Sequence, residues 1–527
     1  MHTLHVHNLS YQHPDGYVQF KHLNFSIHEK LTAIIGANGS GKSILVSILA
    51  NQQQPSTGHV EFSGKRLVVT QQQLSDRNLQ GSSNTIAQLL GIDQKLAAIA
   101  RITLGSIAEA DFALVGDDWL CEQNYQQQLL TLGIEAPLTT PTSHLSPGQQ
   151  RCLTLYCALQ AQPDLLVLDE PSNHLDQTAK QWLIKQLHAF KGLVVIVSHD
   201  RQLLNHCSAI IELNSLGIHY ETGNYQHFCQ QKLLQQTALT KQINHLAKEQ
   251  KKHQQQTQVN HEKAQQRAAQ GNKHRRSASQ PKVMLDFNKN SAQASKGANE
   301  RSASAKLDAL AKKQQLLKQQ LPDSIERKLK FSQSTSNKRL LFIDKLGLPC
   351  GCSKNPVTLQ INSGDKLHIA GPNGSGKSTL LGMISESTKS PTATAIQLNS
   401  KVLYIDQHCS LLATNHSLKE AVEHYCPELD SQQIRYSLAA ISFKGDNIHR
   451  EVQRLSGGEK MQLAMLIAGH NAGQYLLLLD EPDNHLDLNN KQLLAQNLAH
   501  FSGSFILVSH DEEFIKQSKI TDTFILS

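Results

Sequence analysis

The sequence predicts an α/β protein in which one parallel-sheet domain occurs twice, its copies joined by a basic helical connector. Three observations predict this. A glycine-rich loop behind a short apolar strand, Gly36-Ala-Asn-Gly-Ser-Gly-Lys42-Ser43, returns as Gly371-Pro-Asn-Gly-Ser-Gly-Lys377-Ser378. Three further motifs follow each loop in the same order. The segment between the copies has a different composition, rich in Gln, Lys and Ala. Short apolar strands alternating with helical stretches argue for a parallel sheet with ligands at the carboxyl ends of its strands.

Composition sets the frame. The chain has 527 residues, too many for one ordinary core. It is 39% hydrophobic and 18% charged, with a formal charge of +7. No apolar run approaches the ~20 residues that span a bilayer. The opening Met1–His7 stretch lacks a charged-then-apolar leader pattern, so a cytoplasmic chain is expected. Nine scattered cysteines include one close pair, Cys350-Gly-Cys352, and predict reduced thiols. The 27 histidines are dispersed, and most read as surface or core residues.

The first expected strands are Leu31–Ile35 and Leu367–Ala370, each entering a glycine loop. Backbone N–H groups of such a loop wrap phosphate oxygens, and the following helix start adds partial positive charge. Gly36, Asn38, Gly39 and Gly41 form one loop; Gly371, Asn373, Gly374 and Gly376 form the other. Lys42 and Lys377 would reach the β- and γ-phosphates. Ser43 and Ser378 would ligate Mg²⁺, with Thr379 beside them. Gln407 follows the strand Lys401–Ile405. Equal spacing from the lysine gives Gln72 as its partner, within Gln71-Gln72-Gln73, to sense Mg²⁺ and the γ-phosphate.

Next come Leu145-Ser146-Pro-Gly148-Gln149 and Leu455-Ser456-Gly-Gly458-Glu459. Leu165–Leu168 and Leu476–Leu479 then read as strands ending in Asp169-Glu170-Pro171 and Asp480-Glu481-Pro482. The aspartates suit Mg²⁺ held through water. Glu170 and Glu481 are candidate general bases for the attacking water. Third strands, Leu193–Val197 and Phe505–Val508, lead to His199 and His510, placed to contact the γ-phosphate and that water.

The lysines lie 335 positions apart, the signature serines 310, and the aspartates and histidines 311. The first copy therefore carries about 25 extra residues between its glutamine loop and its signature. This divides the chain into residues 1–228, a connector 229–334, and residues 335–527.

These motifs resemble the ATP-binding cassette superfamily, over roughly four fifths of the chain. The resemblance implies two cassettes of the P-loop NTPase fold, paired head to tail within one monomer. Each ATP would lie between one cassette's phosphate loop and the other's signature. Ser456 and Gly458 would complete the Lys42 site; Ser146 and Gly148 would complete the Lys377 site. Two positions depart from the pattern. Pro147 replaces a glycine, which fits a helix start but removes an N–H donor. Tyr11 sits where the family stacks an aromatic on adenine, and its counterpart is Leu348. Both departures fall on the Lys377 site, so unequal sites are expected.

The connector carries most of the charge. Residues 231–330 hold 21 Lys/Arg and 7 Asp/Glu, a net +14, leaving −7 for the rest of the chain. Gln231–Gln270 and Ala303–Leu329 read as two helices, with Gly271 and Pro281 breaking helix between them. Lys273, Arg275, Arg276, Lys282 and Lys289 would form a basic tip for RNA backbone contacts. Residues 81–144 are net −5, which suits a short arm or an enlarged helical subdomain touching protein rather than RNA.

Paired cassettes, a basic connector, no membrane segment and the Asp-Glu-Pro-Ser/Asp-Asn-His-Leu-Asp form together resemble the ABC-F proteins. That likeness implies an ATP hydrolase that binds the ribosome when ATP-closed. Its connector would point toward peptidyl-site tRNA, and hydrolysis would release it. Members act as translation factors or in antibiotic resistance. The alternatives are a fused transporter motor and a DNA-associated ATPase.

Overall fold

The computed structural model describes residues 3–70, 84–173, 175–214, 217–276, 301–302, 304–318, 338–349, 356–372, 374–387, 395–406, 409–412, 416–441, 443, 445–471, 475–484 and 486–526, with backbone alone at 261, 264 and 267–276. The chain divides into two compact units. One is Met1–Tyr225 with Arg327–Ser527; the other is Gln226–Glu326.

In the larger unit the first copy begins with β1 (Leu4–Gln12) and β2 (Val18–Ile27), then β3 (Leu31–Gly36), α1 (Lys42–Leu49), β4 (Thr57–Glu61) and β5 (Arg66–Val69). Four helices follow: α2 (Ile86–Leu89), α3 (Asp93–Thr103), α4 (Glu109–Val115) and α5 (Cys121–Thr131). The signature helix α6 (Pro147–Gln160) leads to β6 (Leu165–Asp169), α7 (Gln177–Ala189), β7 (Leu193–Val197), α8 (Arg201–Asn205), β8 (Ala209–Asn214) and β9 (Gly217–Thr222). The main sheet has order β5-β6-β7-β3-β8-β9. It is parallel except for β9. Its central strands β6 and β7 are buried throughout, so they read as continuous apolar runs rather than alternating ones. Leu45, Val46 and Leu49 of α1 close the core between this sheet and the antiparallel sheet β2-β1-β4.

The connector opens with α9 (Tyr225–Arg276), a single 52-residue helix. It runs through Gly271, where the sequence suggested a break. One interior glycine costs about 1 kcal/mol against alanine, which a long Gln/Lys/Ala run absorbs. Residues 304–318 are also helical. Pro281 and the loop expected around it lie outside the described residues.

The second copy repeats the plan. It contains β10 (Arg339–Leu346), β11 (Val357–Asn362), β12 (Lys366–Ala370), α10 (Lys377–Glu386), β13 (Ile396–Leu398) and β14 (Lys401–Ile405). It continues with α11 (Leu418–Tyr425), α12 (Ser431–Ala440), α13 (Gly457–His470), β15 (Tyr475–Asp480), α14 (Leu488–His500), β16 (Phe505–Val508), α15 (Glu512–Gln517) and β17 (Asp522–Ile525). Its parallel sheet, β14-β15-β16-β12-β17, matches β5-β6-β7-β3-β8 of the first, and β9 has no counterpart among the described residues. Its antiparallel sheet is β11-β10-β13.

The repeat extends to irregularities. Asn8 and Lys345 both take positive φ, 48° in each, and shift the register of β1 and β10. Leu9 then matches Leu346 as the next inward residue, which aligns Tyr11 with Leu348. The extra residues of the first copy are also located. A bridge joins Thr85 to Pro141, and its counterpart joins Ser417 to Glu451, a span of 56 residues against 34. The first copy fills the longer span with α2–α5, whereas the second has α11 and α12. The α3–α4 hairpin has an apolar tip, with Leu104 and Ile107 about nine-tenths exposed.

No helix of the described residues is long and apolar enough to cross a membrane. The described cysteines, Cys121, Cys152, Cys157, Cys207, Cys229, Cys409 and Cys426, are free thiols. Cys350 and Cys352 lie outside the described residues.

Candidate nucleotide site

Both glycine loops sit at the carboxyl end of the central strand. Gly41 and Gly376 precede α1 and α10 with φ of 95° and 97°, a left-handed conformation that glycine adopts without penalty. Gly36 and Gly371 are required for a different reason: a Cβ there would lie 2.4 and 2.5 Å from the carbonyl oxygens of Leu213 and Leu526. At Gly39 and Gly374 a Cβ would meet nothing within 4 Å. Asn373 lies outside the described residues.

The lysines fold back into their own loops. Lys42 Nζ donates to the carbonyls of Gly36 and Ala37, at 2.9 and 3.0 Å. Lys377 Nζ donates to those of Gly371 and Pro372, at 2.8 Å each. Burial lowers both ammonium pKa values, against the opposing pull of nearby carboxylates. The hydroxyls of Ser40 and Ser375, inside the loops, are buried without a hydrogen-bond partner among the described residues. A buried polar group without a partner is costly, so each loop holds unmet hydrogen-bonding capacity.

Asp169 and Asp480 end β6 and β15, where Ser43 and Ser378 hydrogen-bond to them. Burial raises both carboxyl pKa values. Glu170 and Glu481 follow with φ of 49° each, left-handed for a residue that has a Cβ. Their N–H groups donate to Val197 and Val508, at 2.8 and 2.9 Å, which pins the turn to the neighbouring strand. Burial, with the adjacent aspartate second, pushes each glutamate up to about 7.

His199 Nε2 stands 3.7 Å from Glu170 Oε1, and His510 Nε2 stands 3.6 Å from Glu481 Oε1. Burial and then the lysine of its own loop push His199 down to about 3 and His510 to about 4. Both imidazoles are therefore neutral at pH 7. Neither ring nitrogen of His199, nor Nε2 of His510, has a hydrogen bond among the described residues.

The two copies touch at these sites. The amide of Asn38, in the first glycine loop, donates to Asp487 Oδ2 of the second copy at 3.1 Å. Gln177 Nε2 donates to Glu512 Oε1 at 3.1 Å, and Arg201 lies 4.0 Å from Glu513. Between the copies is a small cavity lined by residues of both, including Glu170, Lys180, His199, Glu481, Lys491 and His510. Burial lowers the pKa of Lys377, and Asp176 of the first copy joins Glu481 and Asp480 in opposing it.

The description "ABC transporter" fits the family model that matches residues 20–173 and 354–484, over half of the chain. The chain belongs to the ATP-binding cassette family. It is of the ABC-F type, with two cassettes fused in one chain. It is 28% identical over 505 residues to "Probable ATP-binding protein YheS" of Haemophilus influenzae, covering 92% of this chain and 73% of the relative. It is 28% identical over 528 residues to "Ribosome protection protein VmlR" of Bacillus subtilis, covering 97% and 84%. Among solved structures, the complex of archaeal ribosomal stalk protein aP1 with ribosome recycling factor aABCE1 matches with TM-score 0.57 and 17% identity, over 98% of this chain and 87% of that one. That likeness shows the tandem-cassette fold.

The cassettes differ around their strand-end carboxylates. Arg151, 2% exposed on α6 of the first cassette, donates to the carbonyls of Asp169 and Glu170 at 2.8 and 3.1 Å. The second cassette has Met461 at that place and instead uses Tyr404, whose hydroxyl donates to Asp480 Oδ2 at 3.1 Å. The sheet register puts Val68 of the first cassette at the Tyr404 position. Both signatures are capping boxes: Ser146 with Gln149, and Ser456 with Glu459. Gly148 and Gly458 are buried in the first turns behind them. Pro147 takes the first helical position, where a missing N–H breaks no intrahelical bond.

Tyr11 is half-buried. Its hydroxyl accepts from Gln53 Nε2, and its ring meets His13 edge-on at 5.2 Å. Gln72, Gln407, Lys282 and Lys289 lie outside the described residues. Lys273, Arg275 and Arg276 fall on the last turns of α9, and their side chains are not described.

The sequence reading missed a second duplicated set. Asp176 and Asp487 cap α7 and α14. Lys180 pairs with Asp200 at 2.8 Å; Lys491 lies 3.4 Å from Asp511 and 3.9 Å from Asp483. Lys491 also acts across the cassette boundary: it opposes the burial and the Asp169 charge that raise Glu170, and adds to the burial and the Lys42 charge that lower His199. The signal was present: Asp176 and Asp487, Lys180 and Lys491, and Asp200 and Asp511 repeat at the same 311-residue offset as the candidate catalytic residues, whereas Asp483 has Ser172 as its counterpart.

Proposed function

We propose that this chain hydrolyses ATP at two composite sites and uses that cycle to bind and leave the ribosome. The observation that carries the ATPase half is the seating of Glu170 and His199 against Glu481 and His510 at one cassette boundary. The Asn38–Asp487 hydrogen bond supports head-to-tail completion of each site. In this reading Ser456 and Gly458 serve Lys42, and Ser146 and Gly148 serve Lys377.

The residues fit Mg²⁺. Ser43 with Asp169 and Ser378 with Asp480 are hard oxygen donors already paired. Asp480 Oδ1 is buried without a hydrogen-bond partner among the described residues. Mg²⁺ there would neutralise charge on the β- and γ-phosphate oxygens. Gln407 would complement its site. Gln72, within Gln71-Gln72-Gln73, would do the same at the other site.

The chain's own groups do the rest. The loop amides and Lys42 or Lys377 bind and orient the phosphates. The phosphates take the place of the carbonyls that now hold each ammonium. Glu170 and Glu481 accept a proton from the attacking water, with pKa values near the working pH, where a general base is most effective. Neutral His199 and His510 orient that water and the γ-phosphate. The Lys377 site, served by Pro147 and Leu348, differs from its twin in both donors and adenine stacking.

The ribosomal half rests on the connector. Its net +14 gives the counterion-release drive that RNA backbone contacts need. VmlR is named a ribosome protection protein, and the fold match includes a ribosome recycling factor. We place Lys273, Arg275, Arg276, Lys282 and Lys289 on rRNA or tRNA, with the connector directed at the peptidyl-site tRNA in the ATP-closed state. The acidic 81–144 segment, whose α3–α4 hairpin has an apolar tip, suits a protein contact. The protein works in the cytoplasm as a monomer, as a translation factor or in ribosome protection.

The test is co-sedimentation of the Glu170→Gln/Glu481→Gln variant with purified ribosomes, with and without ATP. ATP-dependent pelleting that falls with salt is expected. Changing Lys273, Arg275, Arg276 and Lys282 to Ala should weaken pelleting and leave basal ATPase intact. No pelleting, with ATP binding retained, would sink the ribosomal reading in favour of DNA or a membrane partner.

A further inference from the structure

The outward face of the β1–β4 pair gathers residues that the sequence shows as dispersed. Across the ladder His7 pairs with His59, and His5 pairs with Glu61. Side chains at i and i+2 share a face, so all four project from one side of the sheet. His59 Nε2 lies 3.0 Å from Glu61 Oε1, and His7 Nε2 lies 3.8 Å from Glu61 Oε2. One ligand atom from each of these three residues lies within 4.8 Å of the others. The His7 and His59 rings stack at 5.2 Å between centroids. His5 adjoins them, its ring 6.2 Å from that of His7 and its Nδ1 held by Ser26 Oγ at 2.8 Å.

We propose that His7, His59 and Glu61 form a surface site for a divalent transition metal, with Zn²⁺ the best match. Two imidazoles and a carboxylate are the mixed N/O donor set that zinc takes, leaving a fourth position to water. A tetrahedral ion with bonds near 2.1 Å holds its ligand atoms about 3.4 Å apart. The 3.0 and 3.8 Å separations, one to each Glu61 oxygen, lie either side of that value, and the three ligand atoms all lie within 4.8 Å of one another, so they must draw together by about an ångström to close on an ion.

The fold does not impose this cluster. In the second cassette the β10–β13 ladder places Phe342, Asp344, Ala395 and Gln397 at the matching positions. The first cassette therefore carries something that its own duplicate lacks. Binding would clamp β1 to β4 just before the irregularity at Asn8, in the strand that goes on to present Tyr11. The site is independent of the nucleotide and ribosomal readings.

The test uses the full chain without a histidine tag, stripped with a chelator and titrated with Zn²⁺ by equilibrium dialysis. The measured quantity is a difference, which removes metal held by the chain's other histidines. The wild type should hold one more Zn²⁺ per chain than His7→Ala/His59→Ala. Its melting temperature should rise with Zn²⁺ by several degrees, and the variant should lose most of that rise. Co²⁺ should give a visible absorption band that the variant lacks. If the double variant misfolds, His59→Asn and Glu61→Gln, which keep size and exposure, replace it. Equal stoichiometry and equal melting shifts in wild type and variants would leave an ion-paired surface cluster and overturn the proposal.

Discussion

Replacing Glu170 and Glu481 with Gln should stabilise the nucleotide-free protein by an amount that grows with pH. Gln mimics the protonated carboxyl. Each glutamate has a folded pKa pushed up to about 7, chiefly by burial, against an ordinary 4.5. The folded state thus binds more protons than the unfolded state between those values. Stability is therefore lost as pH rises from 4.5 through 7. Each full shift corresponds to about 3 kcal/mol, most of which accrues between pH 5 and pH 8. Allowing for relaxation around the charge, about 1–2 kcal/mol per cassette is expected. His199 and His510 act in the opposite sense, since their folded pKa values are depressed to about 3 and 4. Their contribution is present above the ordinary value of 6.5 and lost on acidification. It is common to both proteins and cancels in the difference. The assay is thermal unfolding of wild type and double variant at pH 5, 6, 7 and 8, without nucleotide or Mg²⁺. One kcal/mol moves the midpoint of a domain of this size by about 2–4 °C. The variant's advantage should therefore widen by about 2–8 °C from pH 5 to pH 8. A difference that stays flat with pH would show that these carboxyls titrate normally and would refute the buried-base argument.

Other outcomes follow from the same geometry. Lys491→Met leaves Asp483 and Asp511 without their cation and should cost about 3–5 kcal/mol, read as a lowered melting temperature; an unchanged midpoint rules out a structural role for the pair. Asp487→Ala and Asp176→Ala should each cost about 1 kcal/mol through a lost helix cap, but Asp487→Ala alone should speed hydrogen exchange at the Asn38 amide. Equal exchange in both would remove the cassette-to-cassette hydrogen bond from the account. Pro147→Gly should cost about 0.5–1 kcal/mol through unfolded-chain entropy while restoring an N–H at the signature. In a Glu170→Gln background it should raise the residual ATPase, and no change would show that Pro147 does not limit the Lys377 site.

The duplication was legible because chemistry at a phosphate site needs particular residues at particular spacings. Gly36 and Gly371 admit no side chain beside the next strand, and Gly41 and Gly376 need left-handed backbone. Such constraints act over a few residues and leave a mark in the sequence. Helix continuity was less legible. Gly271 reads locally as a break, yet α9 passes through it because many favourable neighbours outweigh one unfavourable residue.

By itself the sequence determined the two α/β copies, the Asp-Glu-His sets and the charge of the connector. Each is a matter of local spacing or summed composition. Tertiary structure alone decided which residues meet across long separations. Lys491 reaches Glu170, Asn38 meets Asp487, and Arg151 and Tyr404 each support one cassette's carboxylates by a different route. The same holds for His7 and His59, which stand 52 positions apart in the chain and face each other because strand register places them there. Pairing across a ladder or a domain boundary depends on how whole elements pack, and no short stretch of sequence encodes it.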